Sequence, residues 1–395
     1  MRPVIPFTRV ILAFTAIVLA SPAPARAVLI RHDRPDTNYK ALAKTYSGPL
    51  GNVAGAMGTL IADRWVLTAA HVATNISPFS KSFWIGSEHV PIADVYLYPG
   101  WGRQQDAAGH AVTDSKIADL ALIRLSRPVQ GVRPARLHRK ANERGMKIVV
   151  IGNGLTGTGG TGPNNEDGVM RAATNVIDEA EDRTISFSFS APGDSGVTDL
   201  EGIGGPGDSG GPALAIIGGT TEILGVSSIN HTGAANGSSQ YGSTEVYARV
   251  STSLAWIDQT LAGRSQPMVW PDTVHSVAKG WPDSPGGRLA RRWLDAYNSR
   301  DSLALVAFER EFRADSLLAK KPAEARAASW RNLYGTWGRL EPSQWVDTPG
   351  SPFKVLVHAG GPDQWMRFEF TLEADPPHKL TRMITNTPED PGPPG

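Results

Sequence analysis

Gly207-Asp208-Ser209-Gly210-Gly211-Pro212, followed by the apolar run Ala213-Leu214-Ala215-Ile216-Ile217, is the stretch on which the reading of this chain turns. Glycines around Ser209 allow a tight turn, because glycine adopts left-handed backbone angles without a Cβ penalty. The run after Pro212 reads as a buried strand. Together they hold a hydroxyl in a constrained position. A serine is a weak nucleophile alone; it needs a base, a group that orients the base, and N–H donors for the oxyanion that follows attack. An upstream copy, Gly193-Asp194-Ser195-Gly196, lacks the second glycine, the proline and the apolar run, and reads as a loop coincidence.

Two earlier segments supply the missing parts, in order. Gly58-Thr59-Leu60-Ile61 leads to Trp65-Val66-Leu67-Thr68-Ala69-Ala70-His71, a strand that delivers a histidine after small residues. Asp119-Leu120-Ala121-Leu122-Ile123-Arg124-Leu125 puts an aspartate at the head of a strongly apolar strand. Strands are expected over Met57–Val66, Ala118–Leu125 and Lys147–Ile151. Ile185, Phe187 and Phe189 alternate with serines at a period of two, which marks a strand with one buried face. Asn153–Asp167, rich in Gly, Asn and Thr, is expected to be a loop. Ser251 is placed to cap a helix carrying Leu254, Ile257 and Leu261, closed by Gly263.

These three segments resemble the trypsin/chymotrypsin family of serine proteases, whose TAAH, DxALxxL and GDSGGP motifs they match. The resemblance covers about Val28 to Leu261 and points to a secreted bacterial member. It implies an all-β fold of two six-stranded barrels with a C-terminal helix and the site between the barrels. It also implies a protein or peptide substrate and no cofactor. Carried over, Ser209 is the nucleophile, His71 the general base and Asp119 the group that orients it. The backbone N–H groups of Gly207 and Ser209 form the oxyanion hole. In the family a newly released α-amino group pairs with the aspartate before the nucleophile, which makes Val28 and Asp208 the expected activation pair. Trypsins carry an aspartate where this chain has Ile203, so a preference for basic residues is not implied. Ser228 and Asn230 are expected to line the substrate pocket. Glu245 falls at its back wall, either to accept a Lys or Arg of the substrate, to pair internally or to face solvent.

Composition bounds the rest. The 395 residues carry a net charge of +1, which gives no electrostatic reason for a nucleic-acid or anionic-membrane partner. The absence of cysteine excludes disulfides and thiolate catalysis, and no metal site is expected. Arg2 and Arg9 precede the apolar run Val10–Ala20, and Ala25-Arg26-Ala27 supplies a cleavage site. Residues 1–27 are therefore expected to be a signal peptide, with a mature start at Val28 and a secreted or periplasmic location. After the protease-like region 28–263, residues 264–286 read as a Pro/Gly-rich linker. Residues 287–388 read as a small α+β domain, helices first and strands after, and residues 389–395 as a flexible tail. The pattern of this domain is similar to the cone domains of nuclear transport factor and SnoaL-type proteins. That implies a binding or stabilising module for a partner the sequence does not name. Its tryptophans (Trp293, Trp330, Trp337, Trp345, Trp365) are expected in the core, and His358 and His378 are isolated. A serine esterase with the same residues, or a catalytically idle binding protein, are the alternative readings.

Overall fold

The structure, a computed structural model, describes residues 28–101, 118–165, 167–231, 239–270 and 273–389; side chains of residues 229–231 and 386–389 are outside that description. The expected signal peptide and residues 390–395 lie outside the described residues. Contacts divide the chain into two compact units, one ending at Val274 and one running from His275 to Glu389.

The first unit opens with β1 (Leu29–Ile30) and α1 (Asp36–Tyr46). Then come β2 (Leu50–Val53), β3 (Ala56–Ala62), β4 (Trp65–Thr68), α2 (Ala70–Ala73), β5 (Ser82–Ile85), β6 (Glu88–Leu97) and β7 (Ala121–Leu125). These six strands close into a barrel in the order β2-β3-β4-β7-β6-β5. Met57, Leu60, Val66, Phe83, Val95 and Leu122 are buried in this core. The one strand expected over Met57–Val66 is a hairpin instead, with Thr59 opposite Leu67. Asp63 and Arg64 interrupt the apolar run and make the turn.

The second half supplies β8 (Arg136–Leu137), β9 (Lys147–Gly152), β10 (Thr156–Thr158), β11 (Gly162–Asn165), β12 (Arg171–Val176) and β13 (Glu179–Ala180). It continues with β14 (Thr184–Ser188), β15 (Gly202–Ile203), β16 (Pro212–Ile217), β17 (Thr220–His231) and β18 (Thr244–Arg249). The expected second barrel is a curled eight-stranded half-barrel, β12-β9-β16-β17-β18-β14-β13, with β8 beside β17. β14 follows its period of two: Ile185 and Phe187 are buried while Thr184, Ser186 and Ser188 are only half-buried. The loop expected over Asn153–Asp167 contains β10 and β11. β10 runs parallel to β1, which itself pairs with β15. Those partners are far away in sequence, so no local pattern announces them.

α3 (Leu254–Leu261) closes this unit. Its expected cap, Ser251, lies in a preceding 3-10 turn and donates to Glu143 at 2.5 Å. That carboxylate is fully buried and also holds Arg249 through two hydrogen bonds. A buried charge needs every donor it can reach, which outweighs the helix cap.

The second unit comprises β19 (His275–Ser276), α4 (Pro285–Ser299), α5 (Ser302–Phe312), α6 (Asp315–Lys320) and α7 (Ala323–Trp337). Then follow β20 (Leu340–Val346), β21 (Phe353–Ala359), β22 (Gln364–Leu372) and β23 (Leu380–Glu389), in one antiparallel sheet with β19 at its edge. The stretch expected as a linker thus holds a strand and the start of α4. His275 stacks on Trp345 with ring centres 4.2 Å apart, and Ser284 caps α4 by accepting from Gly287 N–H. Trp293 is the centre of the core, against Trp330, Phe368 and Phe370. Trp365 is not in that core; it meets His358 edge-on.

Candidate active site

β4 pairs antiparallel with β7, Thr68 opposite Ala121. The residues just after β4 and just before β7 therefore emerge at one end of the barrel, and these are His71 and Asp119. Asp119 is buried and accepts three hydrogen bonds. Its Oδ1 takes the His71 backbone N–H at 3.0 Å. Its Oδ2 takes His71 Nδ1–H at 2.6 Å and the Ser228 hydroxyl at 2.7 Å. A carboxylate only accepts, so the imidazole proton is held on Nδ1 and the lone pair is left on Nε2.

Ser209 arrives from the half-barrel. Its turn is closed by Asp208 N–H to Gly205 C=O and Gly211 N–H to Asp208 C=O. The turn is fixed from both sides. Ser209 C=O accepts from Met57 N–H of β3 at 2.9 Å, and Gly210 N–H donates to Ser227 C=O of β17 at 2.9 Å. Ser227 thus holds the serine turn while Ser228, the next residue, holds Asp119. Consecutive positions of one strand thus hold the backbone of the serine turn and the carboxylate that pairs with His71. Among the described residues neither Gly207 N–H nor Ser209 N–H donates to a protein acceptor, and Gly207 has a φ of +96°.

Gly210 is required here. Its φ is +79°, and a Cβ would lie 2.2 Å from Met57 O and 2.3 Å from Thr68 Oγ1. Gly210→Ala is expected to cost about 2–5 kcal/mol through backbone strain and overpacking. Urea unfolding measures this; a change below about 0.5 kcal/mol would contradict the close approach.

Asp208 is buried beneath the turn and receives Gly154 N–H at 2.6 Å and Gly205 N–H at 2.8 Å. Burial pushes its carboxyl well above the usual carboxylate range, and neighbouring Glu245 adds to the shift. No cationic side chain pairs with Asp208 among the described residues. Val28 is buried, its carbonyl accepting from Thr156 Oγ1 at 3.2 Å. Leu29 beside it packs against Gly205, where an added Cβ would lie 2.8 Å from Leu29 Cδ1. Gly205 thus has Asp208 as a hydrogen-bond partner and Leu29, the residue after Val28, as a neighbour.

The expected pocket residues divide. Ile203 is buried in β15 opposite Leu29. Ser228 gives its hydroxyl to Asp119. The Asn230 side chain lies outside the described residues; its backbone pairs with Glu245. Glu245 is buried, accepting from Gly204 N–H at 2.6 Å and Ser227 Oγ at 3.2 Å, with Tyr247 as a further partner. These partners pair it within the protein. Burial raises its carboxyl to about 7. A Cβ on Gly204 would stand 2.3 Å from Oε1, so glycine makes room for this carboxylate. The contributions of Ser227, Ser228, Gly154 and Gly204 were not legible in sequence, because Ser228 and Asp119 are 109 positions apart. The upstream Gly193–Gly196 copy is an exposed turn in which Asp194 accepts from Ala191 N–H at 2.7 Å. Among the described residues no cluster of three or more His, Cys, Asp or Glu side chains converges as a metal site would.

The sequence model of the Trypsin family matches residues 37–257, more than half of the chain. The chain belongs to that family. Among solved structures it is similar to neuropsin, a serine protease expressed in the limbic system of mouse brain. The two share 20% identity over 55% of this chain and 95% of that one, at a TM-score of 0.41. The comparison with curated proteins gives no match.

Proposed function

We propose that the protein is a secreted serine endopeptidase in which Ser209 attacks the scissile carbonyl and an acyl-enzyme forms. His71 Nε2 takes the Ser209 proton and passes it to the leaving amine. Asp119 fixes the Nδ1–H tautomer and stabilises the imidazolium. Gly207 and Ser209 N–H groups receive the oxyanion; one such donor is worth about two to three orders of magnitude in rate. The observation that carries this reading is the shared Asp119 carboxylate. It orients His71 on one side and, through Ser228, is tied to the strand that holds the Ser209 turn. The test is fluorophosphonate labelling with casein and ester hydrolysis. Labelling at Ser209 with turnover of both supports the reading. Ester turnover alone makes the protein an esterase, and no labelling makes it a binding protein.

Activation in this proposal follows from export. Cleavage after Ala27 frees the Val28 amine, whose ammonium compensates the buried Asp208 carboxylate. Specificity at the residue before the scissile bond rests on Glu245 if its carboxylate reaches substrate. Glu245→Gln is then expected to abolish any Lys/Arg preference on a peptide library. In the unaltered enzyme that preference should grow as pH rises through about 7, where Glu245 ionises. A profile unchanged by either the substitution or pH assigns Glu245 to internal pairing alone.

A further inference from the structure

A groove of about 720 Å³ lies on the first unit away from the serine turn, between β8 with its following loop and α3. β8 runs parallel to β17, with Arg136 opposite Glu222. Ser228 is six residues further along β17, so the groove begins roughly 20 Å from the site. The apolar part of its lining includes Leu137, Met146 and Ile217. The rim is cationic. Arg136 and Lys140 are exposed and have no carboxylate partner among the described residues. The other polar groups of the groove have partners within the protein. Arg139 forms a two-pronged pair with Asp258, and Glu222 faces His138 Nδ1 at 2.9 Å, whose Nε2 meets Asn142 at 2.9 Å. Two cations are thus left over an apolar floor.

We infer that this groove is an exosite for an acidic segment of the protein substrate. Carboxylates of the segment meet Arg136 and Lys140 while intervening apolar side chains seat on Leu137, Met146 and Ile217. A polysaccharide or nucleic-acid chain would match the rim but gain nothing from the floor. An exposed apolar surface with a polar rim is the signature of a protein contact. The inference rests on the endopeptidase reading. Tethering at a second place raises the local concentration of the scissile bond at the first, so the groove should lower KM and leave kcat alone. An extended chain covers about 3.3–3.6 Å per residue, so at least six residues must separate the acidic segment from the scissile bond.

The test uses a fluorogenic peptide substrate with and without a tail of alternating Asp and Leu, joined at either end through a flexible spacer of about ten residues. At low salt the tail is expected to lower KM about tenfold, and the double change Arg136→Glu with Lys140→Glu to erase that gain. The untailed substrate should be turned over equally by both proteins, which also reports that the variant folds. Equal KM with and without the tail at both ends, or a gain that survives charge reversal, overturns the inference. So does an equal gain from a poly-Asp tail, which would make the floor irrelevant. Anisotropy of the labelled tail on Ser209→Ala reads the groove without catalysis. A protein that binds the tail but cleaves nothing would leave the exosite standing and remove the endopeptidase reading.

Discussion

Ser209→Ala is expected to lower kcat on peptide substrates by about five to six orders of magnitude, with KM and thermal stability nearly unchanged. The hydroxyl is the only group lost, and the backbone that positions it remains. Met57 N–H still binds the carbonyl of residue 209, and Ser227 C=O still holds Gly210 N–H. His71→Ala should cost a similar amount, and the double variant little more, because base and nucleophile act as one unit. Asp119→Asn should lose about four orders of magnitude, since an amide in place of Oδ2 no longer fixes the imidazole proton on Nδ1. The measurement is kcat on a fluorogenic peptide together with fluorophosphonate labelling resolved to the residue. Labelling that persists in Ser209→Ala, or activity within tenfold of the parent, would remove Ser209 from the mechanism.

A second large effect is expected at the amino terminus. One extra residue ahead of Val28, or Asp208→Asn in the processed protein, should reduce kcat/KM by about two to three orders of magnitude. Removing one partner from a buried charge pair costs roughly 3–5 kcal/mol, and each 1.36 kcal/mol is tenfold. Asp208 is the group left without compensation: it is buried, and among the described residues its hydrogen-bond donors are two backbone N–H groups. The pH dependence separates the two forms. In the extended protein the folded-state carboxyls of Asp208 and Glu245 both lie above their ordinary values. The folded state then binds more protons than the unfolded one over that range, so stability falls as pH rises. For Glu245 the fall runs from the ordinary glutamate value of 4.5 to about 7. In the processed protein the Val28 ammonium cancels the Asp208 part of that decline. Melting curves from about pH 5 to about pH 8, with mass spectrometry of the mature terminus, provide the check. Active enzyme that begins well downstream of Val28, or an extended form with full activity, would sink the activation scheme.

The candidate site was more legible than the strands around it. Asp119, His71 and Ser209 each sit beside a strongly patterned strand, and the chemistry of nucleophile, base and orienting acid requires those residue types. Strand limits fared less well. The apolar run Met57–Val66 hid a hairpin, because two polar residues at Asp63-Arg64 are a weak break in composition but a complete reversal in space. β10 and β11 were invisible because the Gly, Pro and Asn that fill much of them have little strand preference of their own. They become strands because β1 supplies an edge for β10, which in turn pairs with β11.

By itself the sequence determined which residue types were available for acyl transfer, their order along the chain, and an absence of cysteine that leaves the fold to its apolar core. Local periodicity also set the alternation of β14 and the buried face of α4. Only the tertiary structure decided that Ser228 donates to Asp119, that Glu245 accepts from Gly204 N–H, and that the second barrel stays an open, curled sheet. The reason is range. A period of two or 3.6 is written in neighbouring residues, whereas the partner of a buried carboxylate is whichever donor folding delivers within about 3 Å, from anywhere in the chain.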